Sequence, residues 1–215
     1  LLAQFSNGYL IIHLGMSGRI SIVNEKKSLL KHDHIDICFN VNGNKKILRY
    51  NDTRRFGAMI WTDDNPSNHK LIATLGPEPL SDEFNADYLF EIVKRKKQPI
   101  KSTIMDSHSV VGVGNIYASE SLFLASIRPQ RRSQKIKKKE ISILVDSIKM
   151  VIQKAIERGG STLNDFFSVN GQSGYFQNEH NVYGRENESC NKCEGRIYQL
   201  RIAQRSSFYC KKCQV

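Results

Sequence analysis

The chain has 215 residues, of which 32 are Lys or Arg and 21 are Asp or Glu, giving a formal net charge of +11. Its hydrophobic content, 40%, is that of a folded protein with room for one large or two modest domains. The basic excess points to a polyanionic partner, and no apolar run is long enough to span a bilayer, which argues against an integral membrane protein.

Residues 1–62 read as β structure. Leu1 to Phe5 looks like a strand in progress, and Leu10-Ile11-Ile12 is too short and too poor in basic flanks for a signal peptide. Asn7-Gly8 predicts a hairpin turn into a strand from Tyr9 to Leu14. Ile35, Ile37, Phe39 and Val41 alternate with polar residues, as one buried strand face requires. Asn42-Gly43-Asn44 turns the chain into a strand from Lys46 to Tyr50, and Ala58 to Trp61 makes another. The expectation is an antiparallel, sandwich-like layer, with Cys38 as core filling.

Two loops in this part do not read as core. In His13-Leu14-Gly15-Met16-Ser17-Gly18-Arg19, glycines flank Met16 and let the backbone turn tightly, pushing its side chain outward. Asp52-Thr53-Arg54-Arg55-Phe56-Gly57 puts two arginines and a phenylalanine at a strand edge. That combination suits a wedge entering a duplex, although Met16 and Phe56 taken singly are more often core residues.

Leu75-Gly76-Pro77-Glu78-Pro79-Leu80 is a stiff linker, after which the pattern becomes helical. Ser81 is the expected cap of a helix that starts with Asp82 and Glu83 and runs to the basic cluster Lys94-Arg95-Lys96-Lys97. Ile100 to Met105 is a short helix. Val110-Val111-Gly112-Val113-Gly114 turns into a helix from Asn115, whose side chain is placed to cap it. A helix start behind a glycine turn favours a phosphate, but a lone G-x-G with no βαβ unit does not make a dinucleotide fold. Arg131 to Lys139 is a charge run compatible with a solvated loop. Ile141, Leu144, Val145, Ile148, Val151, Ile152 and Ile156 mark a long amphipathic helix ended by Gly159-Gly160. Ser161 can cap a short turn from Thr162 to Phe167. Residues 168–177 are polar and glycine-rich and read as a lid.

The C-terminus carries the sharpest signal. Cys190-x-x-Cys193 and Cys210-x-x-Cys213 supply four thiolates in the spacing of a structural zinc site. Between them Ile197 to Ile202 and Ser207 to Tyr209 read as two strands around a turn bearing Arg205. Such a hairpin is marginal without a metal. Paired disulfides are the rival, less suited to a cytoplasmic chain. Arg205 reads equally well as a nucleic-acid contact or as a solvated surface arginine.

The motifs HLGMSG at 13–18, DTRRFG at 52–57, LGPEPL at 75–80, VGVGNIYASE at 111–120, Gly174 to Phe176, VYGR at 182–185 and the four-cysteine element with Gln204-Arg205 follow one another in order. Together they resemble bacterial formamidopyrimidine-DNA glycosylase across the whole chain. The resemblance implies an α+β fold: an antiparallel β-sandwich and linker at 1–80, a helix–two-turns–helix domain at 81–185 and a zinc finger at 186–215. It implies base-excision repair of 8-oxoguanine and formamidopyrimidines in double-stranded DNA, by glycosidic cleavage and then β,δ-elimination on a flipped base. It also implies a cytoplasmic monomer with one structural zinc on Cys190, Cys193, Cys210 and Cys213. Met16, Arg54 and Phe56 would fill the void left by the flipped nucleotide, with Arg54 facing the orphaned cytosine. His32, Arg55, Arg95, Asn115, Tyr183 and Arg205 would hold phosphates, and Lys101 would lie near the lesion. Loop 168–177 would cover the extruded base, and Arg205 would assist δ-elimination.

The family's N-terminal proline nucleophile, the glutamate after it and a lysine before the first strand have no counterpart in these residues. The expectation is an N-terminally truncated chain that binds DNA poorly or moderately and does not cut it. An endonuclease VIII-like enzyme for oxidised pyrimidines is the nearest alternative. A non-catalytic damaged-DNA binding protein is the alternative from another class. A zinc-ribbon module of a transcription or translation factor would explain the finger but not the first 160 residues.

Overall fold

The computed structural model describes residues 1–24, 27–159 and 179–215. The expected turn at 161–167 and the lid at 168–177 lie outside the described residues. Contacts divide the chain into two compact units, one built on Leu1–Ala73 and the other on Thr74–Glu157 with the C-terminal segment to Val215.

The first unit is antiparallel β, as expected. Strands β1 (Leu2–Phe5), β2 (Gly8–His13) and β6 (Ala58–Thr62) form one sheet in the order β1-β2-β6. Strands β3 (Gly18–Val23), β4 (Asp33–Val41) and β5 (Asn44–Asp52) form another in the order β3-β5-β4. Asn42 and Gly43 take φ of 50° and 79°, the left-handed pair that matches the twist of a two-residue hairpin. The first hairpin turns one residue earlier than Asn7-Gly8, because Gly8 already pairs with Phe5 and leaves Ser6-Asn7 as the turn. Two burial expectations are corrected. The alternating face of β4 is not closed over, with Ile35 40% and Val41 47% exposed. Cys38 is exposed rather than core. Strand β4 lies at a sheet edge, and alternation marks a side of the pleat without fixing what covers it.

The second unit packs helices α1 (Ala86–Val93), α2 (Ile100–Ile104), α3 (Asn115–Leu124) and α4 (Lys138–Glu157) around Phe84, Leu89, Ile104, Leu122, Leu144 and Ile148. The periodic apolar stripe read from the sequence is the buried face of α4 from Ile141 to Ile152, but Ile156 is exposed and Ala155 is the buried residue of the last turn. Helix α1 starts later than expected. Asn85, not Ser81, is its cap and accepts from the Tyr88 amide, while Ser81 closes a turn onto the Glu78 carbonyl. Asn85 followed by a continuous helical run satisfies the first free amides, whereas the 81–84 segment buries Phe84 in the core instead. Helix α3 is capped by Gly114, and Asn115 is its first helical residue, with no side-chain cap. The charge run is anchored in part, since Arg131 pairs with Glu140 at 2.6 Å.

Strands β7 (Ile197–Ile202) and β8 (Arg205–Cys210) make the C-terminal hairpin. Ala203 and Gln204, at φ of 46° and 61°, form its two-residue turn. The hairpin is locked onto the helices. Phe123 of α3 shares a core with Val182, Cys190, Ile197 and Phe208. The fully buried Gln214 accepts from the Cys210 amide and donates to the Ile127 carbonyl. No helix among the described residues is long and apolar enough to cross a membrane.

Candidate nucleic-acid interface

In the first unit, Met16 and Phe56 are 57% and 58% exposed despite their apolar side chains. They are gathered around one arginine. Arg54 Nη1 lies 3.5 Å from Met16 Sδ, and its guanidinium sits 4.7 Å from the centre of the Phe56 ring. The two motifs, far apart in sequence, therefore make one surface knob of two apolar groups and a cation. Gly15, at φ 61°, permits this because a side chain there would strike the Phe56 backbone.

Beneath the knob lies Asp52, 1% exposed. Its carboxylate accepts from Ser17 Oγ, the Arg54 and Gly57 amides and the Tyr50 hydroxyl. The Ser17 bond first, then the Gly57, Tyr50 and Arg54 bonds, hold its pKa well below the usual carboxylate range against the cost of burial. Burial, reinforced by Asp52, pushes the Tyr50 phenol up to about 12. His32 takes φ 73° and its carbonyl accepts from the Asp52 amide at 3.0 Å. Arg55, also in a left-handed conformation at φ 56°, is exposed.

In the second unit, the structure brings Asn115 and Tyr183 together. Asn115 Nδ2 donates to the Tyr183 hydroxyl at 3.2 Å, at the start of α3, where no side chain caps the first amides. A residue missed in the sequence reading holds this arrangement. The buried Glu120 carboxylate accepts from the Asn181, Val182 and Tyr183 amides and from Asn181 Nδ2, at 2.8–3.0 Å. Only its place in the VGVGNIYASE motif marked it, since a glutamate inside a helix otherwise reads as surface. Arg185 closes the same turn from below, donating to the Asn181 and Ser189 carbonyls. Tyr183 also meets Phe208 edge-on at 5.1 Å, tying this turn to the hairpin.

Arg205 is exposed at the hairpin tip, and a 190 Å³ cavity is lined by Arg205, Lys101, Met105 and Asp106. Lys101 is only 1% exposed. Its ammonium donates to the Ser206 carbonyl at 3.1 Å and Ser207 Oγ at 2.8 Å. Burial and then the nearby Arg205 charge lower its pKa to about 7. Arg95 stands apart from this group on α1's flank, 76% exposed in its side chain and 3.5 Å from Glu91.

The four cysteines converge as their spacing requires. Their sulfurs lie within 4.8 Å of one another, with Cys193–Cys210 at 3.5 Å and Cys190–Cys213 at 3.9 Å. Disulfide sulfurs would be about 2.05 Å apart. Sulfurs around a tetrahedral zinc, at bonds of about 2.3 Å, stand about 3.8 Å apart. The cluster is a fit for a metal ion and not for two disulfides.

Comparison with known proteins agrees with this geometry. Residues 1–59 match the model of the formamidopyrimidine-DNA glycosylase N-terminal domain, and residues 75–167 match that of the formamidopyrimidine-DNA glycosylase H2TH domain. The formamidopyrimidine-DNA glycosylase of Legionella pneumophila is 50% identical over 214 residues, which cover all of this chain and 77% of that protein. That of Neisseria meningitidis is 46% identical, covering all of this chain and 78% of the relative. Among solved structures, the MutM (Fpg) protein of Thermus thermophilus aligns with a TM-score of 0.83 at 32% identity, over 97% of this chain and 76% of that one. A complex of Lactococcus lactis Fpg with abasic-site DNA aligns at 0.84 and 32% identity, over 99% and 80%.

Proposed function

The chain belongs to the formamidopyrimidine-DNA glycosylase family, and from that premise we propose that it serves base-excision repair of oxidised purines, 8-oxoguanine and formamidopyrimidines, in double-stranded DNA. The observation that carries this reading is the exposed knob of Met16, Arg54 and Phe56. Soluble surfaces rarely hold two large apolar side chains around an arginine without a partner for them. A base stack is such a partner: apolar groups unstack a step and a cation meets the base left behind.

The remaining roles follow the chemistry of each group. Asn115, Tyr183 and the first amides of α3 hold a phosphate, with His32, Arg55, Arg95 and Arg205 as further backbone contacts. Lys101 acts near the lesion through the hairpin tip that it supports. Arg205 is also the group assigned to assist elimination, a role its exposed charge at the hairpin tip supports. Zinc is the metal proposed for Cys190, Cys193, Cys210 and Cys213, and when bound it stiffens the hairpin. The lyase step belongs to the same reading. It needs an amine that attacks the sugar C1′, and the N-terminal proline implied for that role is not among these 215 residues. Lesion binding is the part of this activity assigned to the residues described above, in a cytoplasmic monomer.

The test is fluorescence anisotropy of the zinc-loaded polypeptide on three duplexes: 8-oxoguanine opposite cytosine, thymine glycol opposite adenine, and undamaged. Tighter binding to the 8-oxoguanine duplex is expected. Equal affinity for all three would overturn lesion recognition. Tighter binding to thymine glycol would move the reading to the pyrimidine branch. That arm is needed because one Lactococcus lactis Fpg structure holds DNA with an oxidised pyrimidine.

A further inference from the structure

We infer that Asp52, with Ser17 and Tyr50, is a latch that holds the Met16–Arg54–Phe56 knob in its inserting shape before DNA arrives. The three are positioning residues. The inference rests on the proposed wedge role of the knob and assigns to it a source of rigidity.

The Asp52 carboxylate has both oxygens engaged twice. One accepts from Ser17 Oγ at 2.6 Å and the Arg54 amide at 3.2 Å. The other accepts from the Tyr50 hydroxyl and the Gly57 amide, both at 2.9 Å. Ser17 Oγ accepts from the Arg54 amide as well, at 3.1 Å, so the hydroxyl bridges the two loops. Three of the donors sit beside or within the knob in sequence: Ser17 follows Met16, Arg54 is itself in the knob, and Gly57 follows Phe56. The backbone of Asp52 fastens a third segment. Its amide donates to the His32 carbonyl, and its carbonyl lies 2.8 Å from His34 Nε2.

Met16 and Phe56 are more than half exposed, so burial does not fix them. A loop with exposed tips would otherwise be ordered only on binding, at a cost in affinity. A carboxylate with its acceptor capacity filled is a specific alternative to packing, because releasing either loop leaves a buried charge short of donors. Gly57 permits the close approach, since a Cβ there would collide with the Tyr50 hydroxyl.

The experiment uses the zinc-loaded polypeptide and a duplex with a tetrahydrofuran abasic analogue opposite 2-aminopurine, whose fluorescence rises when the wedge unstacks it. Ser17→Ala, Asp52→Asn and Tyr50→Phe are compared with Phe56→Ala. Thermal melting monitors folding, and the salt dependence of undamaged-DNA binding monitors the basic surface. Ser17→Ala removes one hydroxyl from a partly exposed loop, so it tests the latch even where Asp52→Asn unfolds the unit. The latch variants are expected to lose most of the fluorescence rise and roughly tenfold in preference for the abasic duplex, the scale of one charge-assisted hydrogen bond. Salt dependence should be unchanged, and Ser17→Thr should restore the signal. If Phe56→Ala abolishes the rise while Ser17→Ala and Tyr50→Phe keep it, the latch is overturned and the wedge stands. If Phe56→Ala also keeps it, the wedge reading falls and the latch with it.

Discussion

Lys101 Nζ donates to Ser207 Oγ at 2.8 Å, a bond that joins α2 to the hairpin across 106 residues of sequence. The same ammonium reaches the Ser206 carbonyl, so the lysine supports the strand that presents Arg205. A buried ammonium with only neutral partners is costly, which is why its pKa falls from 10.5 to about 7.

That shift has a sign. Above about pH 7 the unfolded chain keeps the Lys101 proton while the folded chain loses it, so the unfolded state binds more protons and stability rises with pH up to the ordinary lysine range. The rise is at most on the order of 1.4 kcal/mol per pH unit. Denaturant melts of wild type and Lys101→Met across that window should differ by this slope, and parallel curves would mean Lys101 is not buried against the hairpin.

Glu120→Gln should loosen the Asn181–Tyr183 turn, because an amide cannot accept on both sides as the carboxylate does. A loss of about 1–3 kcal/mol in stability is expected for the donors left unpaired. Weaker binding to any duplex should accompany it through the displaced Tyr183. Calorimetry and anisotropy together check this; an unchanged melting temperature would remove Glu120 from the support.

Cys210→Ser should release the proposed metal and disorder the hairpin, since an ion shared by the four thiolates would tie the outer ends of β7 and β8 to the preceding cysteine pair. Metal analysis after dialysis reads the outcome directly. Full retention of one zinc per chain would count against the four-thiolate site.

Arg205→Ala should weaken DNA binding by about 1.5–3 kcal/mol at low salt, the value of a charge-assisted phosphate bond. It should also lower the salt slope by roughly 0.9 log units per decade. Unaltered affinity would place Arg205 off the interface.

Arg54→Ala should blunt any preference for cytosine opposite the lesion without changing the salt slope by more than one contact. Affinities on duplexes that vary only the opposite base measure this, and an unaltered preference would detach Arg54 from the orphaned base.

Much was legible in the chain itself. The cysteine spacing determined the four-sulfur cluster, because two C-x-x-C pairs converge in few ways. The apolar period of residues 141–152 determined α4 and its buried face, because helical repeat and core contact are the same regularity. The ordered motifs determined the family. Tertiary structure decided what local pattern leaves open. Whether Met16 and Phe56 were core or surface depended on two loops distant in sequence meeting around Arg54. That Ser81 is not a cap, that Cys38 is exposed and that Lys101 faces inward each depended on what another segment covers. Glu120 and Asp52 carry the same lesson most plainly: a carboxylate's neighbours in sequence do not reveal its donors, which arrive from loops that only the folded chain brings within hydrogen-bond reach.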